Sequence, residues 1–311
     1  MDNKYSNVTV ILCTHKFVKY AEEQIVSIKN QINVKLKIIV SIDSSDNDVI
    51  LLWTQLINKY FDKTDYKIIN GPKKGFSYNF ISALISSEVN CDFIAFSDHD
   101  DIWSNDKLYS AIKLIKSTTN ENDPVLYASR TKYVDNNRKF ITLSKNRKKT
   151  LSFKNAIVQC YAGGNTMVFN KKLYSIIKNI GLVDVKSHDW WLYIVATAVE
   201  GKIIYDKNSY ISYRQHNDNI SGGNLGIYQI LIRVKSLFSG DFRVWNKKNI
   251  YYLQKNMNII NVNNTKTLNE FIKIQNGNIC ERFFYYFKSG IYRQNFLDNI
   301  ALFIFALLKK I

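Results

Sequence analysis

Apolar residues alternate between two textures over the first 129 positions. Some form short unbroken runs; others recur every three or four residues. Residues 8–12 are a β-branched run, after which Val18, Ala21, Ile25 and Ile28 fall at helical spacing. Residues 36–42 form a second run, followed by Val49, Leu52, Trp53, Leu56 and Tyr60 on one helical face. A strand at 66–69 ends in the turn Gly71-Pro72, and a helix near 77–87 buries Phe80, Ile81, Leu84 and Ile85. Residues 92–97 read as the next strand. Ser104 is placed to cap a helix whose stripe is Leu108, Ala111, Ile112 and Ile115, and 124–129 reads as a further strand. This alternation predicts an α/β fold with a mostly parallel sheet, helices on both faces, and a ligand site at the carboxyl ends of the strands.

Beyond it, 130–154 lacks apolar periodicity and reads as a loop. Residues 155–224 return to order: a turn at Gly163-Gly164, helices near 171–178 and 189–199, and a strand-rich segment at 202–213. Residues 225–311 read as helices in which aromatic and basic residues are mixed. The pattern predicts an α/β domain over 1–224 and a helical, basic C-terminal region over 225–311. The last apolar stretch, 300–308, falls far short of the ~20 residues a spanning helix needs. Two readings stand for it: lying in a membrane interface with Lys309-Lys310 at the headgroups, or packing on the domain.

With 46% hydrophobic residues and 14% aromatics among 311, the chain can bury a real core, which excludes global disorder. Cys13, Cys91, Cys160 and Cys280 share no C-x-x-C spacing and read as reduced thiols. The polar opening MDNKYSN resembles no secretory signal, which predicts a cytoplasmic chain. The formal net charge of +17 is unevenly spread: −2 over 1–129, +8 over 130–154, +2 over 155–224 and +9 over 225–311. Such localised charge suits an anionic partner, either a membrane surface or a nucleic acid. No nucleic-acid recognition motif is visible and the α/β half carries no basic excess, so the expectation is no nucleic acid and an anionic membrane surface, with the chain peripheral on its inner face.

The chemistry gathers after the strand at 92–97, where Asp98, Asp100 and Asp101 crowd three carboxylates into four residues. Their repulsion calls for a cation among them, and Mg²⁺ or Mn²⁺ takes one or two carboxylates plus substrate phosphates. A solvated acidic turn before the next helix is the alternative reading of the acids alone. The segment Phe96-Ser97-Asp98-His99-Asp100-Asp101-Ile102-Trp103 resembles the D-x-D-D-x-W signature of glycosyltransferase family 2, above all its bacterial rhamnosyltransferase-like members. Other landmarks follow in that family's order: Cys13-Thr14-His15; Ile42-Asp43-Ser44-Ser45-Asp46; the stretch from Gly71 through Gly75 to Asn79; Ala162-Gly163-Gly164-Asn165; His188-Asp189-Trp190-Trp191; and Tyr213-Arg214-Gln215-His216.

The resemblance spans about residues 7–224 and implies a GT-A (Rossmann-like) fold and inverting transfer from a dTDP- or UDP-linked sugar to a saccharide acceptor, lipid-diphosphate-linked in one version. It implies Asp43 at the base, Thr14 near the nucleotide, and Gly75 and Asn79 in the donor loop. Asp98 and Asp100 then handle metal and diphosphate, Asp101 faces the sugar, and Asp189 is the catalytic base. Arg214 would neutralise phosphate, and His216 would ligate the metal or touch the diphosphate. Asp189 also reads as a helix-start carboxylate. Two positions depart from the family: Ile42 where an acid is usual, and His188 where a glutamate often precedes the base. A nucleotidyltransferase making nucleotide sugars would share the acidic site, but residues 10–19 lack its glycine-rich basic loop.

Overall fold

The computed structural model describes residues 5–215 and 240–311. His216 and the predicted boundary at 224/225 lie outside the described residues. Within the chain two compact units are distinguished. The first lies within Met1–Asn146, Ala162–Val183 and Ile204–Asn219, the second within Arg147–Tyr161, Asp184–Ile203 and Ile220–Ile311.

The described residues of the first unit are built on a nine-stranded sheet. Along the chain run β1 (Ser6–Thr14), α1 (Ala21–Lys29), β2 (Val34–Ile42), α2 (Asn47–Tyr60), β3 (Tyr66–Asn70), α3 (Phe76–Ser86) and β4 (Phe93–Ser97). These strands pair in parallel in the order β3-β2-β1-β4. Then come β5 (Ile102–Trp103), α4 (Lys107–Thr118), β6 (Val125–Val134), β7 (Phe140–Leu143), α5 (Phe153–Ala156), β8 (Val168–Asn170), α6 (Lys171–Ile180), α7 (His188–Ala198) and β9 (Lys202–Arg214). Beyond β4 the sheet turns antiparallel, with β8 against β4 and β6, and β5 against β9.

Apolar side chains alternate through the sheet. Val8, Val10 and Leu12 point with Ile38 and Val40 into a core shared with Ile25 of α1, Trp53 of α2 and Leu108 of α4. The opposite face is marked by Phe96, whose ring meets Phe80 of α3 at 5.2 Å and Phe169 of β8 at 5.3 Å. Strands covered on both faces need apolar residues at successive positions, which is why they read as unbroken runs.

Two expectations are corrected. Ser104 does not cap the following helix, which starts at Lys107; its backbone N–H is spent on the Tyr210 carbonyl at 2.9 Å, continuing the β5–β9 pairing. The stretch 130–154 is partly sheet: β6 runs on to Val134 and returns as β7 after a turn in which Asp135 accepts the N–H groups of Asn137 and Lys139.

In the second unit, α5 and α7 are joined by α8 (Asp241–Lys255), α9 (Val262–Asn276), α10 (Ile279–Ser289) and α11 (Phe296–Leu307). From Trp190 to Ala198 every residue of α7 is buried, so it is a core helix with no polar face. Trp190 stacks on Phe242 of α8 at 5.7 Å and donates its ring N–H to the Ala156 carbonyl at 2.7 Å. Asn278 and Glu281 close a reciprocal capping box at the start of α10.

Candidate active site

Three neighbouring strands deliver the site. β1 ends at Thr14, β2 at Ile42 just before Asp43, and β4 at Ser97 just before Asp98. Because β1 lies between β2 and β4, Asp43 and Asp98 leave the sheet on either side of it. This is also where the order of strands reverses, the position at which open α/β sheets form a ligand crevice. Both carboxylates act on one atom between them. The Cys13 thiol is pushed well above its ordinary range, first by burial and then by Asp98 and Asp43.

The loop after β3 is closed onto Asp43. The Asp43 N–H donates to the Thr14 carbonyl at 2.7 Å, the Gly71 N–H to the Ile42 carbonyl at 2.8 Å, and the Lys73 N–H to Asp43 Oδ1. Gly71 has no room for a side chain: a Cβ there would stand 2.7 Å from Asp43 Cα and 2.9 Å from Asn79 Oδ1. Gly75, at φ +88°, turns the chain into α3 and accepts the Asn79 N–H at 3.0 Å. Asn79 is buried, and its Oδ1 accepts a 2.6 Å hydrogen bond from the Ser41 hydroxyl. Thr14 is likewise buried, donating to the Lys16 carbonyl at 2.7 Å. Asn79 and Thr14 thus shape the rim, while Asp43 remains partly exposed on it.

The acid cluster divides by exposure. Asp98 and Asp100 are partly exposed; Asp101 is buried, 1% exposed, and faces inward. Asp101 Oδ2 accepts a 2.6 Å hydrogen bond from Asn165 Nδ2. Burial pushes its carboxyl well above the usual range, Asp98 and Asp100 add to that, and the Asn165 bond opposes it. Lys107, also 1% exposed, lies with Nζ 3.4 Å from the centroid of the Trp103 ring. Burial pushes its ammonium down to about 7 against the pull of Asp101. His99 is held below its ordinary value by burial, opposed by Asp100, and its ring meets His15 edge-on at 6.0 Å. Tyr213 belongs to the same group: its hydroxyl is raised by burial and then by Asp98, Asp101 and Asp100.

Arg214, expected at phosphate, is buried with Nη2 2.7 Å from Glu23 Oε2, Nη1 donating to the Asn136 carbonyl at 3.1 Å, and the guanidinium over the Tyr20 ring. Glu23 also binds Arg138 at 2.6 Å, so this cluster ties α1 to the β6–β7 turn. Among the described residues no three His, Cys, Asp or Glu side chains gather into a complete ligand set. A hard cation shared with substrate phosphates needs only one or two protein carboxylates, and the partly exposed Asp98 and Asp100 match that requirement.

Asp189 belongs to the second unit, in the first turn of α7. It is partly exposed, and its Oδ1 accepts the Trp190 N–H at 2.7 Å and the Ser187 hydroxyl. Those bonds hold the carboxylate at a helix N-terminus, where the backbone favours negative charge. Beside it His188 is buried, and burial pushes its imidazole down to about 4 against the pull of Asp189.

Sequence reasoning gave no role to Asn165, Lys107, Tyr213 or Glu23. Asn165 and Tyr213 stood inside recognised motifs, so proximity to those motifs was the available signal. Lys107 carried only a faint one, a lysine one position before the apolar stripe of its helix.

The fold is of the GT-A class: a mixed sheet, parallel over β3-β2-β1-β4, with acidic residues at its switch point. The chain belongs to glycosyl transferase family 2, whose family model matches residues 9–177. It is 26% identical over 224 residues to the dTDP-rhamnosyl transferase RfbG of Shigella flexneri, covering 69% of this chain and 74% of that protein. Among solved structures it is similar to S. aureus TarS 1-349 in complex with UDP-GlcNAc, with a TM-score of 0.50 and 18% identity, covering 68% of this chain. The chain spans 60% of that TarS structure, and the likeness is one of fold.

Proposed function

We propose that this glycosyltransferase is inverting and metal-dependent. It moves a sugar, rhamnose in the first instance, from a dTDP- or UDP-linked donor to a saccharide acceptor in bacterial surface polysaccharide assembly. The acceptor class we favour is lipid-diphosphate-linked, met by a cytoplasmic enzyme at the inner face of the membrane. The observation carrying this reading is the convergence of Asp43 and Asp98 around the end of β1, with Asp100 beside them.

In this reading Asp43 binds the base, with Thr14, Gly75 and Asn79 shaping its loop. Asp98 and Asp100 would hold Mg²⁺ or Mn²⁺, which would offset the charge gathering on the departing diphosphate. Asp101, turned inward against Asn165, sets the path of the loop that presents Asp98 and Asp100. Asp189 takes the acceptor hydroxyl's proton as that oxygen attacks the anomeric carbon and the bond to the diphosphate breaks on the opposite face. Arg214, engaged by Glu23, secures the rim. His216 remains a proposed ligand.

The test is sugar transfer with purified full-length chain, alongside thermal protection by dTDP-, UDP- and GDP-sugars in Mn²⁺. Asp189→Asn is expected to lower kcat by about 10²–10⁴-fold with donor protection retained. Asp100→Ala, or EDTA, is expected to remove both. Full activity in EDTA or in Asp100→Ala would sink the metal role, and full activity in Asp189→Asn the base role.

A further inference from the structure

Two neighbouring helices of the second unit leave their apolar faces in solvent. On α10 the exposed apolar residues include Phe283, Phe284 and Phe287, at 52%, 58% and 62%; on α11 they include Phe296, Leu297, Ile300 and Ile304, at 76%, 76%, 44% and 46%. Phe283 and Phe287 recur every fourth residue, as do Phe296, Ile300 and Ile304, with Phe284 and Leu297 beside these rows, so each helix presents an apolar face. The faces meet at Phe303, whose ring lies 6.0 Å from that of Phe283 and 5.5 Å from that of Phe287. At ~200 Å² per side chain, the four exposed phenylalanines alone leave roughly 500 Å² in water, near the upper end for a soluble monomer's largest patch.

Cations border this face on its α9 side. Lys266 and Lys273 of α9 and Lys288 of α10 line one surface groove, with Glu270 as its acid. Lys288 also lies over the Phe284 ring at 5.4 Å. The basic segment after β7 is sewn to the link between α10 and α11. Gln294 Oε1 accepts the N–H groups of Lys148 and Lys149, and the Tyr292 hydroxyl donates to the Thr150 carbonyl at 2.5 Å. Residues 147–154, the end of one basic stretch, therefore share with the basic C-terminal helices the unit that carries the aromatic face.

We propose that the α10–α11 face docks on an anionic phospholipid bilayer, the aromatic rings entering the interface and the flanking lysines meeting the phosphates. No helix among the described residues is long and apolar enough to cross a membrane, so the contact is interfacial. Charge selects the bilayer over a second copy of the chain: pairing two such faces would bring lysines against lysines, whereas anionic headgroups complement them. The proposal names the surface for the membrane contact put forward above and does not depend on donor or acceptor identity.

The test is co-sedimentation of the full chain with vesicles of equal parts phosphatidylglycerol and phosphatidylcholine, at low and high salt, without sugar donor. Binding is expected to anionic vesicles only, and to fall about ten-fold in the paired variant Lys266→Glu/Lys288→Glu. The paired variant Phe283→Glu/Phe287→Glu, at exposed positions, is expected to abolish it while keeping the melting temperature and the donor-induced thermal shift of the parent. Absence of binding at low salt would overturn the proposal, as would binding indifferent to the phenylalanine pair. So would a dimer in analytical ultracentrifugation that the same pair dissociates. Loss of donor binding in the parent chain would count against the transferase reading and leave this one standing.

Discussion

At the scale of single residues, the site rests on side chains that never reach the surface. Asn165 gives Asp101 its hydrogen bond, and both are buried. Asn165→Ala leaves a buried carboxyl oxygen unpaired, with an expected loss of about 1–3 kcal/mol, read as a lower melting temperature together with weaker donor protection. His188 makes a pH prediction. Its folded value of about 4 lies below the ordinary 6.5, so between those values the unfolded chain holds a proton the folded chain lacks. Stability due to this group is complete above 6.5 and is lost as pH falls toward 4, by roughly 3 kcal/mol at most. His188→Gln is expected to flatten that part of the stability profile in denaturant titrations from pH 7 to 4; an unchanged slope would refute it. Asp98, Asp100 and Asp43 were legible in sequence because a strand end followed by acids is a local pattern. Asn165 was legible only as part of a motif, since its partner is 64 residues away.

At the scale of elements, strands and helices of the first half followed from periodicity, and each misreading has its own local cause. β6 carries Arg130 and Lys132 at alternating, partly exposed positions, and β7 is only the four residues Phe140–Leu143, so neither shows a clear apolar period and the hairpin reads as loop. Ser104 looked like a cap until β9 took its backbone. The loop between β3 and α3 depends on Gly71 having no side chain. Gly71→Ala drives a Cβ into Asp43 backbone and Asn79, and is expected to cost about 1–3 kcal/mol. Because the strain falls on Asp43, donor-induced thermal protection should fall by more than in Gly75→Ala, where nothing lies within 4 Å of the new atom but φ is +88°. Equal protection in both variants would argue against a loop built around Asp43.

At the scale of the whole molecule, long-range hydrogen bonds decide which segments belong together. Gln294, 7% exposed, binds Lys148 and Lys149 across more than 140 positions. Gln294→Ala should free that segment locally, and trypsin should cut at Arg147–Lys149 sooner than in the parent at unchanged global melting temperature. An identical digestion course would show that the stitch does not hold the segment. The expected break at 224/225 was read from a change of composition and lies outside the described residues; the two compact units draw on segments interleaved along the chain. Sequence by itself determined the parallel strands, their covering helices, the carboxylates at the strand ends and the family, because periodicity and short motifs are set by neighbours within a few residues. Only the tertiary structure decided that Asp101 faces Asn165, that Arg214 answers Glu23, and that residues 147–154 lie in one unit with the C-terminal helices. Those facts depend on which buried polar groups find each other once the chain is closed, and burial makes each unpaired group costly enough to select its partner.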